Sequence, residues 1–234
     1  MARLRNHEPG FHLLDRLADP FRAAVDVSAN EGFYSGRLAQ LCPVVHCFEP
    51  VPCFAAELHA KLPRAVVIHE SAASRRSGTG KLRVRRPRRP ELHDARIVGP
   101  DDKLPGCTHG TTIPCRLERL DDAVLQAVGF IRIEMEGREL DVLEGGIGIL
   151  RRHRPVLLIE SGSPAAPGNV ITFLAVHGYD GFFLRDGALC PVALFDPARD
   201  QVTANLDTGQ APYINNFVFC PNPPPPRLAG LFGP

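Results

Sequence analysis

The chain has 234 residues, of which 44% are hydrophobic and 23% are charged. This length is sufficient for one well-buried domain, and the composition excludes a disordered, collagen-like or coiled-coil protein. Its 27 basic and 26 acidic residues give a formal net charge of +1, which excludes a partner held by overall charge, such as duplex nucleic acid.

The cellular compartment is predicted from cysteines and apolar runs. The seven cysteines form no CxxC pair, which is typical of free thiols in a reducing compartment. No apolar run approaches the roughly twenty residues of a transmembrane helix. The start "MARLRNHEPGF" lacks the apolar stretch of a secretory signal. We therefore expect a cytoplasmic protein without a transmembrane segment.

Apolar runs rich in valine and isoleucine alternate with helical patterns along the first two thirds of the chain. This alternation predicts a parallel sheet covered by helices on both faces. The predicted strands are residues 23–27, 44–49, 65–69, 130–135 and 156–160, and the predicted helices are residues 33–41, 54–62, 120–128 and 138–153.

The last third changes character, because residues 181–185 and 216–220 read as strands without a predicted helix between them. We therefore predict an α/β fold with a doubly wound, mostly parallel, seven-stranded sheet that finishes in an antiparallel hairpin. Dinucleotide-binding folds usually finish parallel, so this pattern disfavours a nicotinamide cofactor.

Two segments fall outside the predicted sheet. Between Arg75 and Arg96 there are nine basic residues and two acidic ones, and we expect a hairpin or exposed loop inserted after the third strand. The chain ends in "PNPPPPRLAGLFGP", which predicts an extended polyproline tail. The expected organisation is one domain over residues 1–221, with a basic insert at about 75–96, and a proline-rich tail over 222–234.

The segment "AAVDVSANEGFYSGRLAQL" predicts a strand ending in Asp26, a tight turn, and a helix that opens near Gly32. Such a turn lets backbone N–H groups and the positive helix end approach a ligand. The next predicted strand ends in Glu49, and a carboxylate at that place can accept both hydroxyl hydrogens of a ribose. Together these features predict a nucleoside ligand at the carboxyl edge of the sheet.

The turn favours a sulfonium cofactor over a dinucleotide. A dinucleotide site uses a G-x-G-x-x-G turn, and the segment from Val27 to Gly32 supplies only one glycine of that set. S-adenosyl-L-methionine carries no phosphate and has a zwitterionic end. Polar side chains such as Asn30 and Asp26 suit that end better.

Several motifs in order resemble the FkbM family of methyltransferases. "DVSANEGFYS" with "FEPVP" is similar to the family's first signature, and "FIRIEMEGRELDVLEGG" to its central block. "RPVLLIES", "GYDGFFL" and "NNFVFCP" resemble its later strands, so the likeness extends from about Asp26 to Pro221. The resemblance implies a class I methyltransferase fold, which is Rossmann-like, and S-adenosyl-L-methionine as cofactor. It further implies O-methylation of a sugar or a polyketide-type small molecule.

The expected cofactor-binding residues are Asp26, Ser28, Ala29, Asn30, Gly32, Glu49, Pro50, Ala72 and Glu134. Three positions depart from the family pattern. Ser28 stands where the family has glycine, which costs on the order of 1 kcal/mol if that position needs a positive φ angle. Arg132 and Glu134 replace lysine and aspartate, and they keep the charges but change side-chain reach.

Glu134 and Glu136 are the candidate catalytic residues. Methyl transfer needs an acceptor aligned with the methyl carbon, and a hydroxyl acceptor must also lose a proton. Either carboxylate can orient the cofactor amine or accept that proton. Alternatively, Glu136 only places a negative charge at the first turn of the following helix, where it complements the helix dipole. A magnesium site on Glu134 and Glu160 and a basic role for His177 remain alternatives, although no metal-binding spacing of histidines is evident.

The acceptor is not fixed by these patterns. The basic segment can hold a phosphate-bearing substrate, for example a nucleotide sugar or a lipid- or carrier-linked molecule, or it is a solvated loop. Two other classes of protein stay open. One is a methyltransferase-fold binding or scaffold protein without turnover, and the other is a nicotinamide-dependent oxidoreductase.

Overall fold

A computed structural model gives the fold. It describes residues 10–84, 95–98, 111–135, 137–161, 166–185, 187–202, 213–228 and 230–231, and of residues 95–98, 166 and 167 only the backbone is described. In the first half of the chain the elements are α1 (Leu14–Leu17), β1 (Ala23–Val27), α2 (Phe33–Leu41), β2 (Val45–Phe48), α3 (Pro52–Lys61), β3 (Val66–His69), β4 (Ala72–Ala73), β5 (Gly78–Val84), β6 (Ala95–Val98) and β7 (Thr111–Glu118). They are followed by α4 (Leu120–Ala123), β8 (Val128–Glu134), α5 (Glu139–Gly145), α6 (Ile147–His153), β9 (Val156–Glu160), α7 (Ala166–Val176), β10 (Tyr179–Arg185), β11 (Ala188–Pro191), α8 (Pro197–Asp200) and β12 (Asn216–Pro221).

The central sheet has eight strands in the order β11-β10-β12-β9-β8-β1-β2-β3. Strands β3, β2, β1, β8 and β9 pair in parallel, and β12 is antiparallel to both β9 and β10. The predicted fold, a mostly parallel sheet with an antiparallel end, is confirmed. The count of seven is corrected to eight, because Ala188–Pro191 pairs with β10 as an additional edge strand.

Both faces of the central sheet are covered, as the apolar runs predict. Residues of β1 are buried throughout, and alternate side chains enter two separate apolar clusters. One cluster packs beneath α4 to α7, and the other packs beneath α1, α2 and the end of α3. Because polar side chains within such strands are surrounded by apolar layers, their partners must come from neighbouring strands and helix starts.

Two of the predicted helices differ from the helices in the structure: one is shorter than predicted and the other is divided in two. The predicted helix over 120–128 ends at Ala123. It cannot continue further, because β8 already begins at Val128 and the residues that lead into it must be extended. The predicted helix over 138–153 is interrupted at Gly146, which separates α5 from α6.

The basic segment contributes to a second sheet. Strands β4, β7, β5 and β6 form it in that order, and β5 pairs antiparallel with both β6 and β7. The side chains of Leu82, Val84 and Cys115 pack from this sheet onto Val51 and Phe54. The second sheet thus packs against the segment after β2 that contains Val51 and Phe54.

The end of the chain does not form the expected extended tail throughout. Residues Pro226–Leu228 form a 3-10 turn, and Leu228 is wholly buried in the cluster beneath α1. The guanidinium of Arg227 donates to the Leu17 carbonyl at 3.2 Å. Burial of a leucine and this hydrogen bond hold the segment against the domain.

Candidate cofactor site and active site

The turn between β1 and α2 has three residues with left-handed backbone. Ser28, Asn30 and Gly32 have φ angles of 64°, 52° and 83°. At Gly32 a Cβ atom would also lie 2.5 Å from the Leu58 side chain. Left-handed backbone costs a residue with a Cβ about 1–2 kcal/mol, and asparagine tolerates it better than serine. Ser28 therefore carries backbone strain.

The backbone N–H groups of this turn are bonded within the protein. Those of Ser28 and Ala29 both donate to the Phe48 carbonyl, at 3.0 and 3.2 Å. The N–H of Gly32 donates to the Ala29 carbonyl at 2.9 Å. These bonds hold the turn against the end of β2. A ligand at this edge is therefore met by side chains and carbonyl groups, rather than by these N–H groups as the sequence suggested.

Glu49 follows β2, and its carboxylate closes the turn. Its Oε2 accepts the N–H of Asn30 and its Oε1 accepts the N–H of Val51, both at 2.8 Å. The residue is 2% exposed. Burial raises the pKa of Glu49 to about 7, although the two N–H groups oppose the rise, and the carboxylates of Asp26 and Glu134 add to it. A carboxylate oxygen has two lone pairs, so each oxygen can still accept a hydroxyl hydrogen.

A buried arginine joins β1, β8 and the turn. Nη1 of Arg132 donates to Asp26 Oδ1 and to the Ser28 carbonyl, both at 3.2 Å. Its Nη2 contacts the Glu134 carboxylate. The guanidinium carbon lies 4.2 Å from the centre of the Tyr34 ring, which adds a cation–π contact. Arg132 therefore fixes the positions of two predicted cofactor-binding carboxylates.

The electrostatics of this cluster follow from its burial. Arg132 is 4% exposed and Asp26 is wholly buried. Burial disfavours the charged guanidinium, but the carboxylates of Glu134 and Asp26 outweigh this and raise the pKa of Arg132 above its ordinary value. The second oxygen of Asp26 accepts the Ser35 hydroxyl at 2.6 Å. As a result both oxygens of Asp26 are bonded inside the protein.

The strand ends beyond Glu134 carry more polar groups. Glu160 ends β9 and pairs in register with Glu134, and its Oε2 lies 3.9 Å from Nη2 of Arg132. Its Oε1 accepts the Asn215 side-chain amide at 2.7 Å. The hydroxyl of the next residue, Ser161, is buried without a hydrogen-bond partner in the described part of the chain. These groups extend the row of polar side chains along the carboxyl edge of the central sheet, on the side away from the turn.

The other predicted site residues lie as follows. Pro50 directly follows Glu49 and is half-buried. Ala72 is buried in β4, where its register partner is Leu117 of the second sheet. Glu136 lies outside the described residues. The Nδ1 atom of His177 lies 2.7 Å from the Phe173 carbonyl, so this histidine closes the end of α7.

Sequence reasoning did not foresee the organising role of Arg132 or the contribution of α2. Tyr34 and Ser35 open that helix with buried side chains, and both contact the charged cluster. A signal was present, because Arg132 stands between two isoleucines in a strand that has no other polar side chain before Glu134 at its end. A charge at such a position must be paired.

A second chain of polar contacts, which is partly buried, joins the two sheets. Nδ1 of His46 lies 3.0 Å from Nε2 of His69, and Nε2 of His46 lies 2.9 Å from the Gln126 side-chain oxygen. Nδ1 of His69 lies 3.6 Å from the carboxylate of Glu118, which belongs to β7. Burial lowers the pKa of both histidines.

Among the residues that the structure describes, no three histidine, cysteine, aspartate or glutamate side chains converge in a way that could hold a metal ion. Glu134 and Glu160 both contact Arg132, so a cation already stands between them. Within the same residues, no helix is long and apolar enough to cross a bilayer.

Comparison with known proteins establishes the family. Residues 26–180 match the Methyltransferase FkbM domain, which is more than half of the chain. The chain therefore belongs to the FkbM methyltransferase family. The family predicted from the sequence and its cofactor, S-adenosyl-L-methionine, are thereby confirmed. No match was found among curated proteins.

Solved structures share the fold at low sequence identity. The methyltransferase FkbM from Methylobacillus flagellatus KT is 15% identical, with a TM-score of 0.54, over 91% of this chain and 50% of that chain. This chain thus spans half the length of that relative. An rRNA methylase from Streptococcus thermophilus is 13% identical, with a TM-score of 0.50, over 93% of this chain and 97% of that chain. A Streptococcus mutans protein in complex with SAH is 12% identical, with a TM-score of 0.50, over 92% of this chain and 97% of that chain.

Proposed function

We propose that this protein transfers the methyl group of S-adenosyl-L-methionine to a hydroxyl oxygen on a sugar or a polyketide-type small molecule, in the cytoplasm. The observation that carries the proposal is the carboxyl edge of the central sheet. There Glu49 and Glu134 stand beside the turn after β1, in a chain that belongs to a methyltransferase family. Anionic side chains at this edge complement a cofactor that carries a positive sulfonium.

The residues at this edge fit the cofactor in chemical type. We assign Glu49 to the two ribose hydroxyls, because its oxygens keep lone pairs after accepting two N–H groups. Pro50, which is half-buried, would supply apolar surface for the adenine, and Asn30 would face the cofactor from the turn. Ala72 is only 2% exposed, so its expected contact with the cofactor would need its neighbours to move. We assign Glu134, held by Arg132, to the amino group of the methionine.

The cofactor supplies an already activated methyl group, so the protein mainly aligns the acceptor and takes up its proton. Bound at this edge, the cofactor would supply the methyl group, and a carboxylate of this chain would take up the proton that the acceptor hydroxyl loses. In our proposal Glu136 is the acceptor of this proton where Glu134 holds the amino group, and Glu134 is the acceptor where the two carboxylates exchange these roles. No metal ion is required for these steps.

One observation favours the alternative of a cofactor-binding protein without turnover. Ser28 holds a strained φ angle at the place where the family has glycine, and its hydroxyl lies 3.4 Å from the sulfur of Met135. A Cβ and a hydroxyl at this place reduce the space beside the end of β8. A protein of this kind would bind the cofactor and leave every acceptor unmethylated.

The test combines binding and transfer. Calorimetry with S-adenosyl-L-methionine is followed by incubation with cofactor carrying a labelled methyl group and a panel of hydroxylated sugars and macrolides. Binding with label on an acceptor oxygen is expected. Binding without transfer on any acceptor favours the non-catalytic alternative, and absence of binding contradicts both. Glu57→Ala, an exposed glutamate of α3, serves as the matched control for variants of Glu49.

A further inference from the structure

Glu49 is a buried carboxylate whose protein partners are neutral. Its two oxygens accept the backbone N–H groups of Asn30 and Val51, both at 2.8 Å, and the residue is 2% exposed. Within the part of the chain that the structure describes, no arginine, lysine or histidine side chain forms a salt bridge with it. Ionisation of such a carboxyl group is costly until a cation or further hydrogen-bond donors arrive.

The guanidinium of Arg132 is bonded to other carboxylates of the cluster. It contacts Asp26 and Glu134, and it lies over the Tyr34 ring of α2. Burial is the main cause that raises the pKa of Glu49 to about 7, and the carboxylates of Asp26 and Glu134 add to the rise. Glu49 therefore changes its charge close to neutral pH, at the edge of the sheet that we assign to the cofactor.

The other ionisable groups around Glu49 are neutral, engaged elsewhere or exposed. The Cys47 thiol of β2 is buried, and burial raises its pKa, so it stays neutral. The ring of His69 in β3 is directed at Glu118 of the second sheet. The ionisable side chains of the turn and of α3 are exposed to solvent, where water and salt screen their charge. These are Glu31, Cys53, Glu57, His59 and Lys61.

The methyl donor and its demethylated product differ in one charge. S-adenosyl-L-methionine carries a positive sulfonium, whereas the sulfur of S-adenosyl-L-homocysteine is neutral, and the ribose and amino-acid ends are the same. In both molecules a single methylene carbon joins the sulfur to the ribose. A carboxylate that holds the ribose hydroxyls is therefore close enough to attract the sulfonium in a site shielded from water.

We propose that Glu49 selects S-adenosyl-L-methionine over its demethylated product, and that this selection strengthens as Glu49 loses its proton. This role rests on the assignment of Glu49 to the cofactor ribose in the proposed function. The ionised carboxylate attracts the sulfonium, and by reciprocity the sulfonium favours the ionised carboxylate. The donor therefore expels the proton of Glu49 more completely than the product does. Once the positive charge is gone, the product is held less tightly and exchanges for new donor.

The test titrates both ligands into the full chain by calorimetry at about pH 5.5 and about pH 7.2, below the range near pH 8 in which α-amino groups titrate. We expect the ratio of the product's Kd to the donor's Kd to rise about threefold between these pH values. Titrations in buffers of different protonation enthalpy should show more proton release for the donor than for the product. Glu49→Gln should remove both differences, and Glu57→Gln, at an exposed position of α3, should keep them.

Equal proton release for the two ligands overturns the proposal, as does an undiminished difference between them in Glu49→Gln. If thermal unfolding shows that Glu49→Gln does not fold, the proton release of the natural protein decides, because groups far from the sulfur contribute equally for both ligands. Binding of both ligands without any difference contradicts this role of Glu49 and leaves the proposed function standing. Failure of both ligands to bind contradicts the cofactor site, and the proposed function with it.

Discussion

The backbone N–H of Asn30 donates to Oε2 of Glu49 at 2.8 Å, so the turn after β1 and the acid after β2 hold each other in place. The second carboxylate oxygen is held equally by the N–H of Val51. The acid is thus oriented before a ligand arrives. Preorganisation of this kind lowers the entropic cost of binding.

Ser28→Gly should increase both stability and cofactor affinity. Relief of the left-handed strain contributes about 1–2 kcal/mol, and the added freedom of the unfolded chain removes up to about 1 kcal/mol of this. Denaturant unfolding and cofactor titration check the net gain. Ser28→Ala is the control, because it keeps the Cβ and removes only the hydroxyl near Met135. A glycine variant that is less stable and binds no better would remove the case for strain at this turn.

Arg132→Leu should lower the free energy of unfolding by about 3–5 kcal/mol, because it leaves Asp26 buried beside Glu134 without a countercharge. Arg132→Lys restores the residue type of the family and should cost less. An ammonium group nevertheless cannot reproduce the forked contacts of the guanidinium. The control Arg37→Leu removes a surface partner of Asp15 and should change stability little. Equal effects of Arg132→Leu and Arg37→Leu in urea unfolding would contradict the central role of Arg132.

The paired histidines make stability sensitive to acid. Burial places the pKa of His46 and His69 below their ordinary value of 6.5, so the unfolded chain takes up protons first as the pH falls. This contribution to stability is present above about pH 6.5 and is lost below it. Urea unfolding between about pH 8 and pH 5 should show a smaller loss for His46→Gln than for the natural sequence. His59→Gln, on the exposed side of α3, should keep the full loss, and identical profiles for all three proteins would refute the assignment.

Chelation should leave the protein's function intact. Treatment with EDTA is expected to change neither cofactor affinity nor methyl transfer to any acceptor that the panel identifies, since Arg132 supplies the positive charge between Glu134 and Glu160. Loss of transfer with EDTA and its recovery on adding magnesium would overturn a metal-free mechanism.

The local pattern was sufficient to predict the elements that form the site. The runs at β1 and α2 have the predicted bounds, because a buried parallel strand and an amphipathic helix each follow from neighbouring residues alone. Glu49 was predictable for the same reason, since it directly follows a buried strand.

Features that depend on distant contacts were not predictable. Arg132 is buried only because Asp26, more than one hundred positions earlier in the chain, lies in the adjacent strand. The basic segment was expected to form a hairpin or an exposed loop, and β5 and β6 pair within it as antiparallel strands. The second sheet was not predictable, because it also needs β7, which lies beyond the basic segment. Leu228 follows a proline run, and only packing beneath α1 buries it.

Titration of S-adenosyl-L-methionine into the natural protein and the Glu49→Ala variant tests the central claim most directly. The titration belongs above pH 7, where Glu49 with its raised pKa is ionised. We expect Glu49→Ala to weaken binding by roughly 1.5–3 kcal/mol, the scale of hydrogen bonds to a charged group, while Glu57→Ala leaves it unchanged. Equal affinity of the natural protein and Glu49→Ala would contradict the assignment of Glu49 to the cofactor ribose.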